Sequence, residues 1–195
     1  EIRTPMNAII GMTQIMSGSK DLQKIDNCVQ QIDRSAKHLL GIINDILDFS
    51  KIEAGKMLLE AREFSLSLNL GFVVSMVFPK AKEKQVSIIS KVTPLIHDYV
   101  LTASLRLNQI LINLLSNAIK FSHTGGRIEL MLEELSHEDS FSIFQFTVRD
   151  HGIGMSESQA DRLFRPFEQA DVSVSRSFGG TGLGLAISKS LVQAL

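Results

Sequence analysis

The sequence predicts an α+β protein in which a helical hairpin precedes a mixed α/β domain. Apolar residues recur at helical spacing through residues 1–55, whereas β-like runs alternate with amphipathic helices from residue 56 to residue 195. Gly55 separates the two patterns and suits the position just past a helix end. We therefore expect one domain over residues 1–55 and a second over residues 56–195.

Two helices make up the predicted hairpin, with the polar segment Ser17–Asp21 between them. The first carries apolar residues from Ile2 to Ile10 at helical spacing. The second carries a longer stripe, formed by Ile25, Val29, Ile32, Ala36, Leu39, Leu40, Ile43 and Leu47. One hairpin cannot cover so wide a stripe, which favours a four-helix bundle built from two copies of the chain. Packing of the hairpin against the second domain is the alternative.

The second domain is expected to place its helices on one side of a sheet. The polar segment Ser136–Ser140 indicates a longer hairpin loop between its last two strands. The predicted elements are a strand at Met57–Phe64, a helix at Leu66–Lys82, a strand at Val86–Val92, a helix at Leu105–Phe121, and strands at Arg127–Leu135 and Phe141–Val148.

Composition narrows the function classes. A formal net charge of −1 with no long basic run gives no reason to expect nucleic-acid binding. The single cysteine, Cys28, excludes an internal disulfide and fits a reducing compartment. No apolar run approaches the roughly 20 residues of a membrane-spanning helix. We expect a cytoplasmic segment without a membrane span, and a membrane anchor elsewhere in the parent protein is left open.

Three polar side chains share one face of the helix predicted at Leu105–Phe121. Asn113, Asn117 and Lys120 stand at positions i, i+4 and i+7, opposite the leucines. Mid-helix asparagine costs about 0.5–0.7 kcal/mol relative to alanine, so a functional reason is favoured. An amide oxygen suits Mg²⁺ and a lysine suits phosphate, so one face could hold a metal and a triphosphate. A solvated outer face is the alternative.

A first glycine cluster follows the last predicted strand. Asp150 directly precedes the turn that contains Gly152 and Gly154. Its carboxylate could accept a hydrogen bond from an exocyclic amine deep in a pocket, which would select adenine over guanine. The alternative is an ordinary turn or helix-cap aspartate.

A second glycine cluster, Gly179–Gly184, precedes a helix predicted at Leu183–Leu195. It is neither a P-loop nor a dinucleotide fingerprint, because no Gly-Lys-Ser/Thr occurs and no strand comes directly before it. Free amides at a helix N-terminus suit phosphate oxygens. A flexible hinge is the alternative.

In chain order these motifs resemble those of the sensor histidine kinases of two-component systems, and the resemblance covers nearly the whole chain. We expect a hybrid or multidomain type. The matching segments are Glu1–Asn7 (part of the H box), Asn113–Phe121 (N box), Asp150–Gly154 (first glycine box), Leu163–Gln169 (F box) and Gly180–Gly184 (second glycine box). The resemblance implies a dimerisation and histidine-phosphotransfer hairpin followed by a Bergerat-type ATP-binding domain, an α/β sandwich. It also implies ATP and Mg²⁺ as cofactors. The γ-phosphoryl group would pass to a histidine and then to an aspartate in the receiver domain of a response regulator.

The same resemblance assigns roles in the ATP site. Asn117 would be the principal Mg²⁺ ligand, and Asn113 would assist at the metal and in catalysis. Lys120 would contact phosphate, Phe121 would pack near the adenine, and Asp150 would hold the adenine amine.

The two glycine clusters would serve different ends of the nucleotide. Gly152 and Gly154 would shape the adenine end, and an ATP lid would run over residues 164–180, anchored by Phe164 and Phe167. The phosphate-facing residues implied by the second glycine box are Gly180, Thr181, Gly182, Leu183 and Gly184.

The start of the chain carries the remaining implied roles. Glu1 resembles the general base beside the acceptor histidine, and Thr4 resembles the residue that orients water in kinases with phosphatase activity. Ordinary first-turn helix residues are the alternative for both. The acceptor histidine would come immediately before Glu1, and the final strands of the family are missing from the sequence. We therefore expect a fragment that binds ATP without phosphorylating itself.

One smaller departure precedes the helix at Leu105–Phe121, where Thr102 and Ala103 replace the usual Gly-Asp. We expect Thr102 or Ser104 to cap that helix. Two rival functions remain at this point: a degenerate kinase core that acts as a dimeric scaffold, and another ATPase of the same superfamily, such as a topoisomerase, mismatch-repair or heat-shock ATPase. The second class carries glutamate where this chain has Asn113 and lacks the hairpin.

Overall fold

The computed structural model describes residues 2–138, 141–168 and 181–195. The chain divides into two compact units, Glu1–Met57 and Leu58–Leu195. The first is a helical hairpin and the second is an α/β unit. In the described part of the chain, no helix combines the length and the apolar character that a bilayer crossing requires.

The hairpin consists of α1 (Arg3–Ser17) and α2 (Leu22–Glu53). Asp21 caps α2, since its carboxylate accepts hydrogen bonds from the backbone N–H groups of Gln23 at 3.0 Å and Lys24 at 3.3 Å. Gly55, at a φ of +63°, follows the end of α2 and takes the left-handed conformation that glycine adopts most easily. The predicted hairpin and its turn are confirmed.

Few side chains are buried within the hairpin. Its buried residues are Pro5, Cys28, Ser35 and Ile42. Large apolar side chains stay 37–58% exposed along both helices, namely Ile2, Met6, Ile10, Ile15, Val29, Leu40, Ile43, Ile46 and Leu47. The two helices of one chain therefore leave a wide apolar surface uncovered.

The α/β unit alternates short strands with helices. Its elements in chain order are β1 (Arg62–Ser65), α3 (Leu66–Glu83), β2 (Ser87–Val92), β3 (Tyr99–Thr102), α4 (Ser104–Phe121), β4 (Arg127–Glu138), β5 (Phe141–Asp150), α5 (Glu157–Ala160) and α6 (Gly184–Ala194). β1 and β3 form an antiparallel pair, whereas β4 lies between parallel β2 and antiparallel β5 in a three-stranded sheet. The predicted α+β fold class, a helical hairpin followed by an α/β domain, is confirmed.

Two strand predictions need correction. The strand predicted at Met57–Phe64 covers only Arg62–Ser65, because pairing with β3 begins there. The longer loop predicted at Ser136–Ser140 is wrong over Ser136–Glu138, since β4 continues through Glu138, and residues 139–140 lie outside the described residues. Pairing of Ser136–Glu138 with β5 extends the ladder past a register shift between Glu134 and Ser136.

The core of the α/β unit lies where α3 and α4 pack on β4. Alternate residues of β4 point into it: Ile128, Leu130 and Leu132 are fully buried. The helices contribute Leu66, Leu70, Val73, Val77 and Ala81 from α3, and Leu107, Leu111, Leu115, Ala118 and Ile119 from α4. This core fixes α4, whose opposite face carries the predicted site residues.

The predicted cap of α4 is wrong, because Ala103 occupies the cap position and no side chain caps the helix there. Ala103 is buried, so its small side chain suits the core at this position. A polar cap occurs instead at α3, where Ser65 Oγ accepts a hydrogen bond from Leu68 N–H at 3.1 Å.

Asp98 secures this helix start. Its carboxylate accepts hydrogen bonds from the hydroxyl groups of Ser65 at 2.5 Å and Ser67 at 2.6 Å, and from Ser67 N–H at 2.9 Å. The hydroxyl groups of Ser65 and Ser67 hold the pKa of Asp98 below its ordinary value of 3.8. The carboxylate therefore joins the β2–β3 connection to the first turn of α3.

Candidate nucleotide-binding site

Asn113 and Asn117 lie side by side on α4, half-buried. Asn113 Nδ2 donates to Ser188 Oγ at 2.8 Å, and Asn117 Nδ2 donates a long hydrogen bond of 3.4 Å to Asn113 Oδ1. No hydrogen bond reaches Asn117 Oδ1 within the described ranges, so that oxygen stays available to a ligand. An amide oxygen is a suitable ligand for Mg²⁺, so the residues present fit this metal.

Lys120 and Phe121 lie one turn further along α4. Lys120 Nζ lies 4.9 Å from the centroid of the Phe121 ring. The backbone oxygen of Phe121 accepts a hydrogen bond from Ile153 N–H at 3.2 Å, which joins the end of α4 to the turn after β5. The structure thus brings Phe121, the predicted adenine residue of α4, next to the first glycine cluster.

Asp150 and the two glycines of the first cluster form a tight turn. Asp150 Oδ1 accepts a hydrogen bond from Gly152 N–H at 2.9 Å, so the turn role considered as the alternative for Asp150 is present in the structure. A Cβ atom at Gly152 would lie 2.2 Å from the backbone oxygen of Phe121. Only glycine allows this close approach, and Gly154, at a φ of +66°, supplies the left-handed residue of the turn.

The start of α6 packs against the middle of α4. A Cβ atom at Gly184 would lie 2.7 Å from Asn113 Oδ1, so glycine is needed for this contact. Ser188, one turn later, is buried and accepts the Asn113 hydrogen bond. Sequence reasoning missed Ser188 as a positioning residue; its only local signal is its place one turn after Gly184 on the same face of the helix.

Two hydrogen bonds fix the residues just before α6. Gly182, at a φ of +63°, accepts a hydrogen bond from Phe167 N–H at 3.2 Å. Leu183 is buried, and its N–H donates to Thr181 Oγ1 at 3.2 Å. Leu183 therefore packs the interior, and its role at a ligand, like those of Thr181 and Gly182, stays a prediction.

Several predicted site residues lie elsewhere or outside the description. Phe164 and Phe167 are 45% and 68% exposed, so neither ring is anchored in the core. Thr4 is exposed on α1, in the hairpin unit. Glu1, Gly180 and most of the predicted lid lie outside the described residues.

An open cavity of about 480 Å³ borders one end of α4 and is lined by Lys80, Glu83, Lys84 and Lys120. It shares only Lys120 with the residues above. The hydrogen bonds and close contacts around Asn117, Asp150 and Gly152 mark the candidate site more directly than this cavity does.

The protein thus has a helical hairpin followed along the chain by an α/β unit. The candidate site in the α/β unit combines amide and carboxylate oxygens with glycines. Residues 1–55 match the His Kinase A (phospho-acceptor) domain, and residues 102–195 match the histidine kinase-, DNA gyrase B- and HSP90-like ATPase family. The two domains occur here in this order on one chain. The chain belongs to the histidine kinases.

Relatives and solved structures agree with this assignment. The sensor histidine kinase GacS of Pseudomonas protegens is 44% identical over 198 residues, which cover the whole of this chain and 21% of that protein. The full-length structure of ShkA in complex with AMPPNP matches 98% of this chain and 38% of its own with a TM-score of 0.73 at 30% identity. The histidine kinase ThkA in complex with the response regulator TrrA shares the fold, with a TM-score of 0.66 over 90% of this chain and 50% of its own at 24% identity. The chain spans about a fifth of the length of the curated relatives it matches.

Proposed function

We propose that this chain is the core of a hybrid-type sensor histidine kinase, which binds Mg²⁺-ATP in the α/β unit and transfers the γ-phosphoryl group to a histidine. The phosphoryl group then passes to an aspartate of a response-regulator receiver domain. The observation that carries the proposal is the arrangement along α4: Asn117 lies beside Asn113 on this helix, and the Asp150–Gly152 turn contacts Phe121 at its end, within the part of the chain that matches an ATPase family.

Metal and phosphate binding are assigned to one face of α4. Asn117 Oδ1 would hold Mg²⁺, and Asn113, fixed by Ser188, would support it. The ion would neutralise charge on the phosphates. Lys120 adds a positive charge on the same face, so positioning and charge neutralisation would provide most of the catalysis.

Adenine binding is assigned to the turn after β5. Asp150 Oδ1 accepts a hydrogen bond from Gly152 N–H, which orients the carboxylate. A carboxylate can accept further hydrogen bonds at its two oxygens. An acceptor of this kind pairs with the exocyclic amine of adenine and finds no donor at the corresponding oxygen of guanine. The bound analogue in the ShkA structure supports an adenine nucleotide as the ligand.

The hairpin unit would provide the dimer contact and belong to the domain that accepts the phosphoryl group. Its uncovered apolar side chains support assembly with a second copy as a four-helix bundle. The match of residues 1–55 to a phospho-acceptor domain supports a histidine of that domain, expected immediately before Glu1, as the first acceptor. The fold shared with ThkA, which was solved with a response regulator, supports a receiver domain as the next acceptor.

The substitution Asn117→Ala tests the metal assignment. Loss of the principal assigned Mg²⁺ ligand is expected to weaken binding of a fluorescent ATP analogue at least about tenfold in Mg²⁺ and to remove most of the difference between Mg²⁺ and EDTA. Asn108→Ala is the matched control, because Asn108 lies on the same helix but accepts its hydrogen bond from Asn69. Unchanged Mg²⁺ dependence in Asn117→Ala would refute the site.

The substitution Asp150→Asn tests the adenine assignment. An amide in place of the carboxylate weakens the acceptor, so ATP affinity should fall about tenfold or more while the weak affinity for GTP stays the same. Competition titrations with the two nucleotides give this ratio. An equal loss for both nucleotides would show that Asp150 only shapes the turn.

A further inference from the structure

Two histidines and a glutamate meet on the α/β unit, at the end of the sheet away from the candidate nucleotide site. His97 precedes β3, whereas Glu134 and His137 belong to β4. The rings of His97 and His137 lie 4.1 Å apart between centroids, and His97 Nδ1 lies 3.6 Å from Glu134 Oε1. One potential ligand atom from each of the three residues lies within 4.8 Å of the others.

The β-bulge of β4 creates this cluster. In a regular strand, residues 134 and 137 would point to opposite faces, because side chains alternate. The register shift after Glu134 inserts one extra residue, so Glu134 pairs with Phe144 and His137 pairs with Ser142. These partners are two residues apart, which places Glu134 and His137 on the same face of the sheet.

Glu134 supplies an unsatisfied buried oxygen. Its side chain is only 4% exposed, and Oε2 accepts the N–H groups of Ile96 at 2.7 Å and His97 at 3.3 Å. Oε1 is buried and has no hydrogen bond within the described residues. His97 Nδ1, 3.6 Å away, is too distant for a hydrogen bond to this oxygen, and a bound cation would satisfy it.

A further contact orients His137. His137 Nδ1 lies 3.0 Å from Ser142 Oγ, which orients the ring and leaves Nε2 as the ligand atom.

We propose that His97, Glu134 and His137 form a binding site for one Zn²⁺ ion, with a fourth position open to water. Two imidazoles and a carboxylate are a known Zn²⁺ ligand set, whereas Mg²⁺ prefers oxygen ligands alone. Ideal tetrahedral ligand atoms lie about 3.4 Å apart at metal distances of about 2.0–2.1 Å. The exposed histidine side chains can close the remaining gap by rotation, since His97 is 46% exposed.

The Zn²⁺ site is separate from the nucleotide site. Asp150 of β5 pairs with Ile128 of β4, and Ile128 lies six residues before Glu134 in the same strand. At about 3.4 Å per residue, this separation is about 20 Å. The ion would tie the β2–β3 connection to the outer end of the β4–β5 hairpin without touching the residues assigned to ATP.

Zn²⁺ titration of the full chain by isothermal calorimetry, without nucleotide, tests the proposal. The wild type should bind one ion at the cluster, and His97→Ala, His137→Ala and Glu134→Gln should each weaken Zn²⁺ binding at least about tenfold. The matched control is His123→Ala, which removes an exposed histidine outside the cluster and should leave affinity unchanged. Millimolar Mg²⁺ should not displace the Zn²⁺.

A thermal melt provides the second measurement. Zn²⁺ should raise the melting temperature of the α/β unit in the wild type and in His123→Ala, and much less in His97→Ala and His137→Ala, whose metal-free melting temperatures should match the wild type. The proposal is overturned if the three cluster variants bind Zn²⁺ like the wild type, or if His123→Ala loses as much affinity as the cluster variants.

Discussion

The hairpin and the α/β unit bury their apolar residues to very different extents. The α/β unit closes its own core, in which Val73, Leu115 and Leu130 have no solvent exposure. The hairpin buries only a narrow seam and leaves residues such as Leu40 and Leu47 more than half exposed. The α/β unit thus closes its own core within one chain, whereas the hairpin leaves an apolar face open to a partner.

The largest change in stability is expected from Leu115→Ala, in the closed core of the α/β unit. The cavity should lower the free energy of unfolding by about 2–5 kcal/mol, independently of protein concentration. Urea unfolding followed by circular dichroism at several concentrations measures it. Leu105→Ala on the same helix, where the side chain is 69% exposed, should cost under about 0.5 kcal/mol. Similar losses in both variants would mean that the core is not closed.

The second prediction concerns the exposed face of the hairpin. In a symmetric bundle Leu40→Asp places a charge in the interface twice, so the dissociation constant of the dimer should rise at least about tenfold. Sedimentation velocity measures this constant. Asn27→Asp adds the same charge on the opposite side of α2 and should leave the dimer intact. A monomeric wild type, or equal effects of both substitutions, would end the proposal that a second copy covers this face.

The smallest effect is expected from Asp98→Asn, which changes only the α/β unit. Because the pKa of Asp98 is lowered on folding, its stabilisation is fully present above its ordinary pKa of 3.8 and is lost as the pH falls through the still lower pKa of the folded state. The wild type should exceed Asp98→Asn by about 1–2 kcal/mol at neutral pH, with the difference shrinking below about pH 4.

Urea titrations between pH 3 and pH 7 measure this difference, with the exposed Asp161→Asn as the control. A difference that persists undiminished at pH 3, or one that moves the hairpin transition instead, would contradict the assignment of this carboxylate to the start of α3.

Local periodicity predicted much of the fold and part of the candidate site. The hairpin, α3 and α4 follow from apolar spacing, because a helix face is defined within one or two turns. The shared face of Asn113 and Asn117 is likewise local. Their functional assignment came from the order of motifs along the chain, and their roles remain to be tested.

Long-range pairing could not be predicted in the same way. Ser188 meets Asn113 across 75 residues, and nothing in α6 alone identifies that partner. Polar Ser136–Glu138 resembled a loop until pairing with β5 made it strand. The bulge that brings Glu134 beside His137 depends on the register of two strands, which alternation within either strand does not reveal.

Cys28 provides a probe of how often the hairpin opens. It is the only cysteine in the sequence, and its thiol is buried within the hairpin unit. A thiol reagent can therefore modify this protein only when the hairpin opens. The rate of that modification reports the opening of the hairpin alone. Its dependence on protein concentration would report how strongly a second copy stabilises the closed hairpin.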